Sequence, residues 1–197
     1  GPGESKLESD RRHIHRRIQS LQEELVQIAK RRENLRARRE KDGIETVAIV
    51  GYTNAGKSTL MNTLTNAGVL AENKLFATLD PTSRALTLPD GRTVMLIDTV
   101  GLVRRLPHQL VDAFRSTLEE AANATVILNL CDASDECCTE HLNVTMNLLA
   151  ALGCADKPII SVLNKCDLCG GSFVLPAQGE FVMISAKTGE GLGNLLA

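Results

Sequence analysis

Eight consecutive residues, Gly51-Tyr52-Thr53-Asn54-Ala55-Gly56-Lys57-Ser58, restrict what this 197-residue chain can fold into more than any other segment. They follow a β-branched run, Glu45–Val50, and open a helical pattern, Lys57–Asn66, so the GxxxxGKS spacing stands in the strand, loop and helix context it requires. In that context the glycines let backbone N–H groups curl around phosphate oxygens, and the helix N-terminus adds positive potential. Lys57 then reaches the outer phosphates and Ser58 ligates Mg2+.

The rest of the chain repeats the alternation. Strands are expected at Arg84–Leu88, Thr93–Asp98, Thr125–Cys131, Pro158–Asn164 and Phe181–Ser185; helices fit His108–Ala122, Thr139–Leu152 and a start after Gly189. This order predicts an open α/β fold, its sheet mixed but mostly parallel and flanked by helices, with ligands at the carboxyl ends of the strands.

Each of those ends carries a motif. Asp98-Thr99-Val100-Gly101 closes one strand, where Asp98 can hold Mg2+ through water and the Gly101 N–H can meet a γ-phosphate. Asn164-Lys165-Cys166-Asp167 closes another. A carboxylate at Asp167 accepts both N1–H and the exocyclic amine of guanine, a donor pair adenine lacks, so GTP and GDP are the expected ligands. Asn164 would brace the loop and Lys165 would cover the base with its alkyl stem. Ser185-Ala186-Lys187 would put the Ala186 N–H on the guanine oxygen. Between the phosphate loop and the next strand, Phe76-Ala77-Thr78-Leu79-Asp80 precedes Pro81 and Thr82. Such a loop lends a threonine hydroxyl to Mg2+ while the γ-phosphate is present; Thr78 is the first choice and Thr82 the second. Thr59, directly after Ser58, completes the expected nucleotide-binding set.

Residues 1–43 differ from the remainder. They hold 12 Lys+Arg against 8 Asp+Glu, a balance of +4, whereas residues 44–197 hold 10 against 16, a balance of −6. Leu7, Ile14, Ile18, Leu21, Leu25, Ile28 and Leu35 fall on a heptad seam that Arg11, Arg32 and Arg39 interrupt, predicting one helix over Glu4–Glu40. A seam that narrow calls for a partner helix, so residues 1–43 read as half of an antiparallel helical hairpin with Gly1-Pro2-Gly3 as its turn. Residues 44–197 read as the nucleotide-binding domain, cut short at its last helix. The basic arm suits polyanions, RNA above all, or is simply a solvated face; the acidic body argues against sequence-specific DNA binding. No apolar run approaches the roughly 18 residues of a membrane helix and the start lacks a signal-peptide core, so a cytoplasmic protein without membrane partners is expected. Its six cysteines are then reduced thiols, and the Cys166, Cys169 pair lacks the second pair a structural zinc needs.

The four motifs resemble those of translation-factor-related P-loop GTPases. Further stretches resemble the HflX family in particular: Gly1-Pro2-Gly3-Glu4, Asp10-Arg11-Arg12, Gly51 through Leu60, Leu75 through Thr82, Ala113 through Glu120 and Asp132-Ala133-Ser134-Asp135. The resemblance implies a P-loop NTPase G domain that hydrolyses GTP with Mg2+, binds the large ribosomal subunit and helps split or rescue stalled ribosomes. It also implies that a separate domain and a first hairpin helix precede this segment, and it places the switch threonine on Thr78. Lys57, Thr78 and Gly101 are the expected catalytic residues; Ser58, Thr78 and Asp98, the last through water, are the expected metal ligands. Leu102 stands where many GTPases carry Gln and this family commonly carries Phe. An apolar side chain cannot orient the attacking water, so slow intrinsic turnover is expected. Asn54 is a candidate for holding K+ beside the phosphates, or else a loop-bracing amide. A nucleotide-gated binding module with negligible hydrolysis and an RNA-associated GTPase remain the alternatives.

Overall fold

The computed structural model describes residues 2–41, 43–65, 82–102, 118–170 and 181–197. It divides into two units, Gly1–Ile44 and Glu45–Ala197. The first is a single helix, α1, Pro2–Lys41, about 60 Å long at 1.5 Å per residue. Pro2 and Gly3 are helical, not part of the expected turn; a proline fits a first helical turn because the N–H it lacks has no intrahelical acceptor there. The seam side chains Leu7, Ile14, Ile18, Leu21, Leu25 and Ile28 are exposed.

The second unit is built on a six-stranded sheet: β1 (Thr46–Gly51), β2 (Thr82–Thr87), β3 (Thr93–Asp98), β4 (Val126–Asp132), β5 (Ile159–Asn164) and β6 (Phe181–Met183). The spatial order is β2-β3-β1-β4-β5-β6; β2 is antiparallel to β3 and every other pair is parallel. Mostly apolar runs, broken in β4 by the buried Asn129, put β1 and β4 at the centre, covered on both faces. Ile49 packs with Leu60 and Met61 of α2 (Lys57–Thr65) on one side. Ala48 and Val50 pack on the other with Leu149 of α3 (Cys138–Ala151) and with Ala121 of helical residues 118–123. Leu192, Leu195 and Leu196 of α4 (Leu192–Leu196) close the first layer from its far end.

Of the expected strands only Thr93–Asp98 keeps both limits; the others shift by one or two residues at one or both ends, and for two of these limits the cause is identifiable. β2 ends at Thr87 because Leu88 opens the hairpin, its N–H donating to the Arg92 carbonyl at 2.8 Å while Gly91 turns the chain at φ +87°. β6 stops at Met183 because the Ser185 N–H turns inward to the Glu190 carbonyl, 2.9 Å away, and leaves the ladder. The first part of the expected helix His108–Ala122 lies outside the described residues, as do Phe76, Ala77, Thr78, Leu79 and Asp80. No described helix is long and apolar enough to cross a membrane.

Candidate functional site

Every described motif lies at the carboxyl edge of the sheet, where β1, β3, β4 and β5 end side by side. The phosphate loop leaves β1 through Gly51, at φ +151°, where a side chain would collide with the Leu130 carbonyl of β4. Only glycine lets β4 pass this close. Gly56, at φ +96°, faces the Asn164 side-chain amide with no room for a Cβ. Between them Asn54 sits at the exposed tip with φ +64°, and the Ala55 N–H donates to the Tyr52 carbonyl at 3.2 Å.

Lys57 begins α2 and is 6% exposed. Its ammonium donates back into the loop, to the Gly51 carbonyl at 3.2 Å and the Tyr52 carbonyl at 3.0 Å. Burial lowers its pKa from 10.5 to about 8, against the opposing pull of the Asp98 carboxylate. Ser58 donates its hydroxyl to Asp98 Oδ2 at 2.8 Å, so the expected metal-binding pair is already adjacent. Asp98 is 2% exposed.

Past Asp98, the Thr99 hydroxyl donates to the Ile49 carbonyl at 2.7 Å, and Val100 is buried. Gly101 lies against the phosphate loop: a Cβ there would sit 2.8 Å from Thr53 Cγ2 and 2.9 Å from Lys57 Nζ. The next residue is stitched to that loop twice, Leu102 N–H to the Gly51 carbonyl at 3.0 Å and Thr53 N–H to the Leu102 carbonyl at 2.8 Å. Leu102 is 5% exposed and adds no polar group to the site.

The base end of the site is organised by Asn164. Its amide donates to the Ala55 carbonyl at 2.8 Å and its oxygen accepts the Ala186 N–H at 2.9 Å. One buried side chain therefore joins the phosphate loop, β5 and the Ser185-Ala186-Lys187 turn. The Ala186 N–H, expected on a guanine oxygen, is engaged with Asn164 in this conformation. Lys165 follows at φ +65° and Cys166 opens a short 3-10 turn, Cys166–Leu168, that presents an exposed Asp167. Ser185 is fully buried, its hydroxyl accepting the Thr188 N–H at 3.2 Å, and Lys187 is exposed. Thr59 contributes its carbonyl to the Thr63 hydroxyl at 3.0 Å. The second switch candidate, Thr82, is the first residue of β2 and pairs with Asp98 in register.

Sequence reasoning missed two contacts at the site. Asp132, the last residue of β4, holds Lys165 by a 2.7 Å ion pair. Its place at a strand's carboxyl end was the available signal. His141, inside the helical pattern of α3, stacks on Tyr52 of the phosphate loop with ring centroids 3.9 Å apart, which no local pattern announces. Among the described residues no group of three or more His, Cys, Asp or Glu could hold a metal ion.

The profile of the family described as 50S ribosome-binding GTPase matches residues 46–165, and that of the GTP-binding GTPase middle region matches residues 1–39. GTPase HflX of Lacrimispora saccharolytica is 52% identical over 198 residues, covering 100% of this chain and 47% of that protein. GTPase HflX of Escherichia coli is 42% identical over 200 residues, covering 99% and 47%. Among solved structures, a GTP-binding protein from Sulfolobus solfataricus in complex with GDP superimposes with a TM-score of 0.63 at 31% identity, covering 86% of this chain and 56% of that one. The chain spans about half the length of the relatives it matches.

Proposed function

The chain belongs to the HflX family of GTPases, and on that footing we propose that it binds GTP with Mg2+ at the carboxyl edge of its sheet. It hydrolyses the γ-phosphate slowly on its own and faster on the large ribosomal subunit, acting in the cytoplasm in ribosome splitting or rescue. The observation that carries the nucleotide reading is the pair of hydrogen bonds by which the Asn164 side chain donates to the Ala55 carbonyl and accepts from the Ala186 N–H, tying the phosphate loop to the base loop.

The chemistry follows from the residues. Lys57, now held by two loop carbonyls, turns its ammonium to the β and γ phosphates, and the Gly101 N–H donates to the γ-phosphate. Loop N–H groups from Tyr52 to Thr59 cradle the inner phosphates. Asp167 accepts the two guanine N–H donors and the Lys165 stem lies over the ring. The donor set of Ser58 hydroxyl and Asp98 carboxylate suits a hard divalent cation. Mg2+ held there by Ser58 and Thr78, and through water by Asp98, would neutralise charge on the phosphate oxygens.

Leu102 sets the intrinsic rate. Buried and fixed by its backbone to the phosphate loop, it brings no group that could orient water. This same observation favours a second reading, a nucleotide-gated binding module that scarcely hydrolyses. Single-turnover GTP hydrolysis with and without large ribosomal subunits separates the two: the enzyme reading expects slow conversion alone and at least about tenfold acceleration with subunits, and the module reading expects negligible conversion in both. For Asn54, the K+ role expects faster turnover in KCl than in NaCl, and equal rates leave it a loop-bracing amide.

A further inference from the structure

One segment singled out in the sequence has no part in the chemistry above: Asp132-Ala133-Ser134-Asp135, the turn between β4 and α3. Asp132 pairs in register with Asn164, so the turn lies level with the base loop. Both of its carboxylate oxygens are engaged. Oδ1 accepts the Ser134 N–H at 3.0 Å and the Ser134 hydroxyl at 2.6 Å, and Oδ2 faces Lys165 Nζ at 2.7 Å. The Ala133 N–H donates to the Asn164 carbonyl at 2.8 Å. The turn thus grips the base loop twice, once through backbone and once through charge.

The charge contact has a job the backbone cannot do. Lys165 sits at φ +65°, a left-handed position that a side-chain-bearing residue adopts at a cost, so no regular element directs its stem. At 24% and 18% side-chain exposure the two partners lie mostly out of water, where an oriented ion pair resists screening better than a surface pair does.

We propose that Asp132 is a positioning residue for the purine: by holding the Lys165 ammonium and orienting its own carboxylate through Ser134, it stretches the lysine stem across the place where the ring binds. The inference rests on the reading that Lys165 and Asp167 receive guanine. It assigns the affinity of the base loop to a residue outside the four nucleotide motifs.

The test titrates the chain with GDP and, separately, with inorganic tripolyphosphate, which reports the phosphate loop alone. Asp132→Asn is expected to weaken GDP about tenfold and leave tripolyphosphate unchanged. Lys165→Met is expected to do the same, and Asp132→Asn is expected to add nothing in the Lys165→Met background, because both act through one stem. A merely structural role would weaken both ligands and add to the Lys165→Met effect; that result, or unchanged GDP affinity in Asp132→Asn, overturns the proposal. Should Asp132→Asn fail to fold, Lys165→Met alone decides, since GDP binding as tight as wild type refutes the link. Wild-type chain that binds ADP as tightly as GDP refutes the underlying guanine reading instead, before any variant is made.

Discussion

The Ser58 hydroxyl donates to the Asp98 carboxylate across 2.8 Å, joining the first turn of α2 to the end of β3. The two motifs proposed to share a divalent cation are therefore adjacent in the protein itself. Replacing Ser58 by Ala removes the hydroxyl and one of the site's oxygen donors while sparing the buried Lys57. The expected outcome is GTP binding that no longer responds to Mg2+: chelation with EDTA should weaken GTP binding to wild type by at least about tenfold and leave Ser58→Ala nearly unaffected. Fluorescent-nucleotide titrations with and without chelator measure it.

Lys57 gives the site a pH dependence with two opposite signs. Its pKa is about 8 in the folded protein against 10.5 unfolded, because burial disfavours the ammonium. Below about pH 8 both states carry the charge and folding bears the full desolvation penalty. Between pH 8 and 10.5 the unfolded chain keeps a proton the folded one has released, so stability of the nucleotide-free protein rises with pH. Phosphate binding wants the ammonium, so GDP affinity should fall as pH rises through about 8, by at most about tenfold per pH unit. Urea unfolding and GDP titration of wild type against Lys57→Met across this window read both slopes, and the Met variant should lack each.

Asn164 is 2% exposed and serves two partners that water does not reach. Asn164→Ala strands the Ala55 carbonyl and the Ala186 N–H, and should destabilise the protein by about 3 kcal/mol, lowering Tm by roughly 6–12 °C. The variant would open space beside Gly56, where a side chain would now meet the Asn164 amide, but would supply no hydrogen bond. Differential scanning calorimetry of the nucleotide-free variant checks the figure.

What could be read from the sequence follows from the range of each interaction. The central strands announced themselves because β1 and β4 are buried on both faces and are therefore mostly apolar, the buried Asn129 of β4 being the exception within the runs. The need for glycine at 51 and 56 was visible as spacing. The obstacles that enforce it, the Leu130 carbonyl and the Asn164 amide, come from strands far along the chain and were not visible. The same holds for Asp132 and Lys165, 33 residues apart in number but paired across neighbouring strand ends. The limit of β6 moved where a single donor, the Ser185 N–H, chose a turn over the ladder, a choice that local propensity does not encode. The long helix was legible from its heptads, although a turn drawn at Gly1-Pro2-Gly3 gave too much weight to residues that α1 absorbs at Pro2 and Gly3.

The guanine reading depends on Asp167, which the 3-10 turn leaves exposed at the sheet edge with only its carboxylate to choose among purines. The most direct test is a paired titration of wild type and Asp167→Asn with GDP and xanthosine diphosphate. Xanthine carries a carbonyl where guanine carries the exocyclic amine, so an asparagine amide can donate where the aspartate had to accept. The account predicts that wild type prefers GDP and that Asp167→Asn prefers xanthosine diphosphate, each by at least about a hundredfold. Unchanged GDP affinity in Asp167→Asn, with xanthosine diphosphate still excluded, would contradict it.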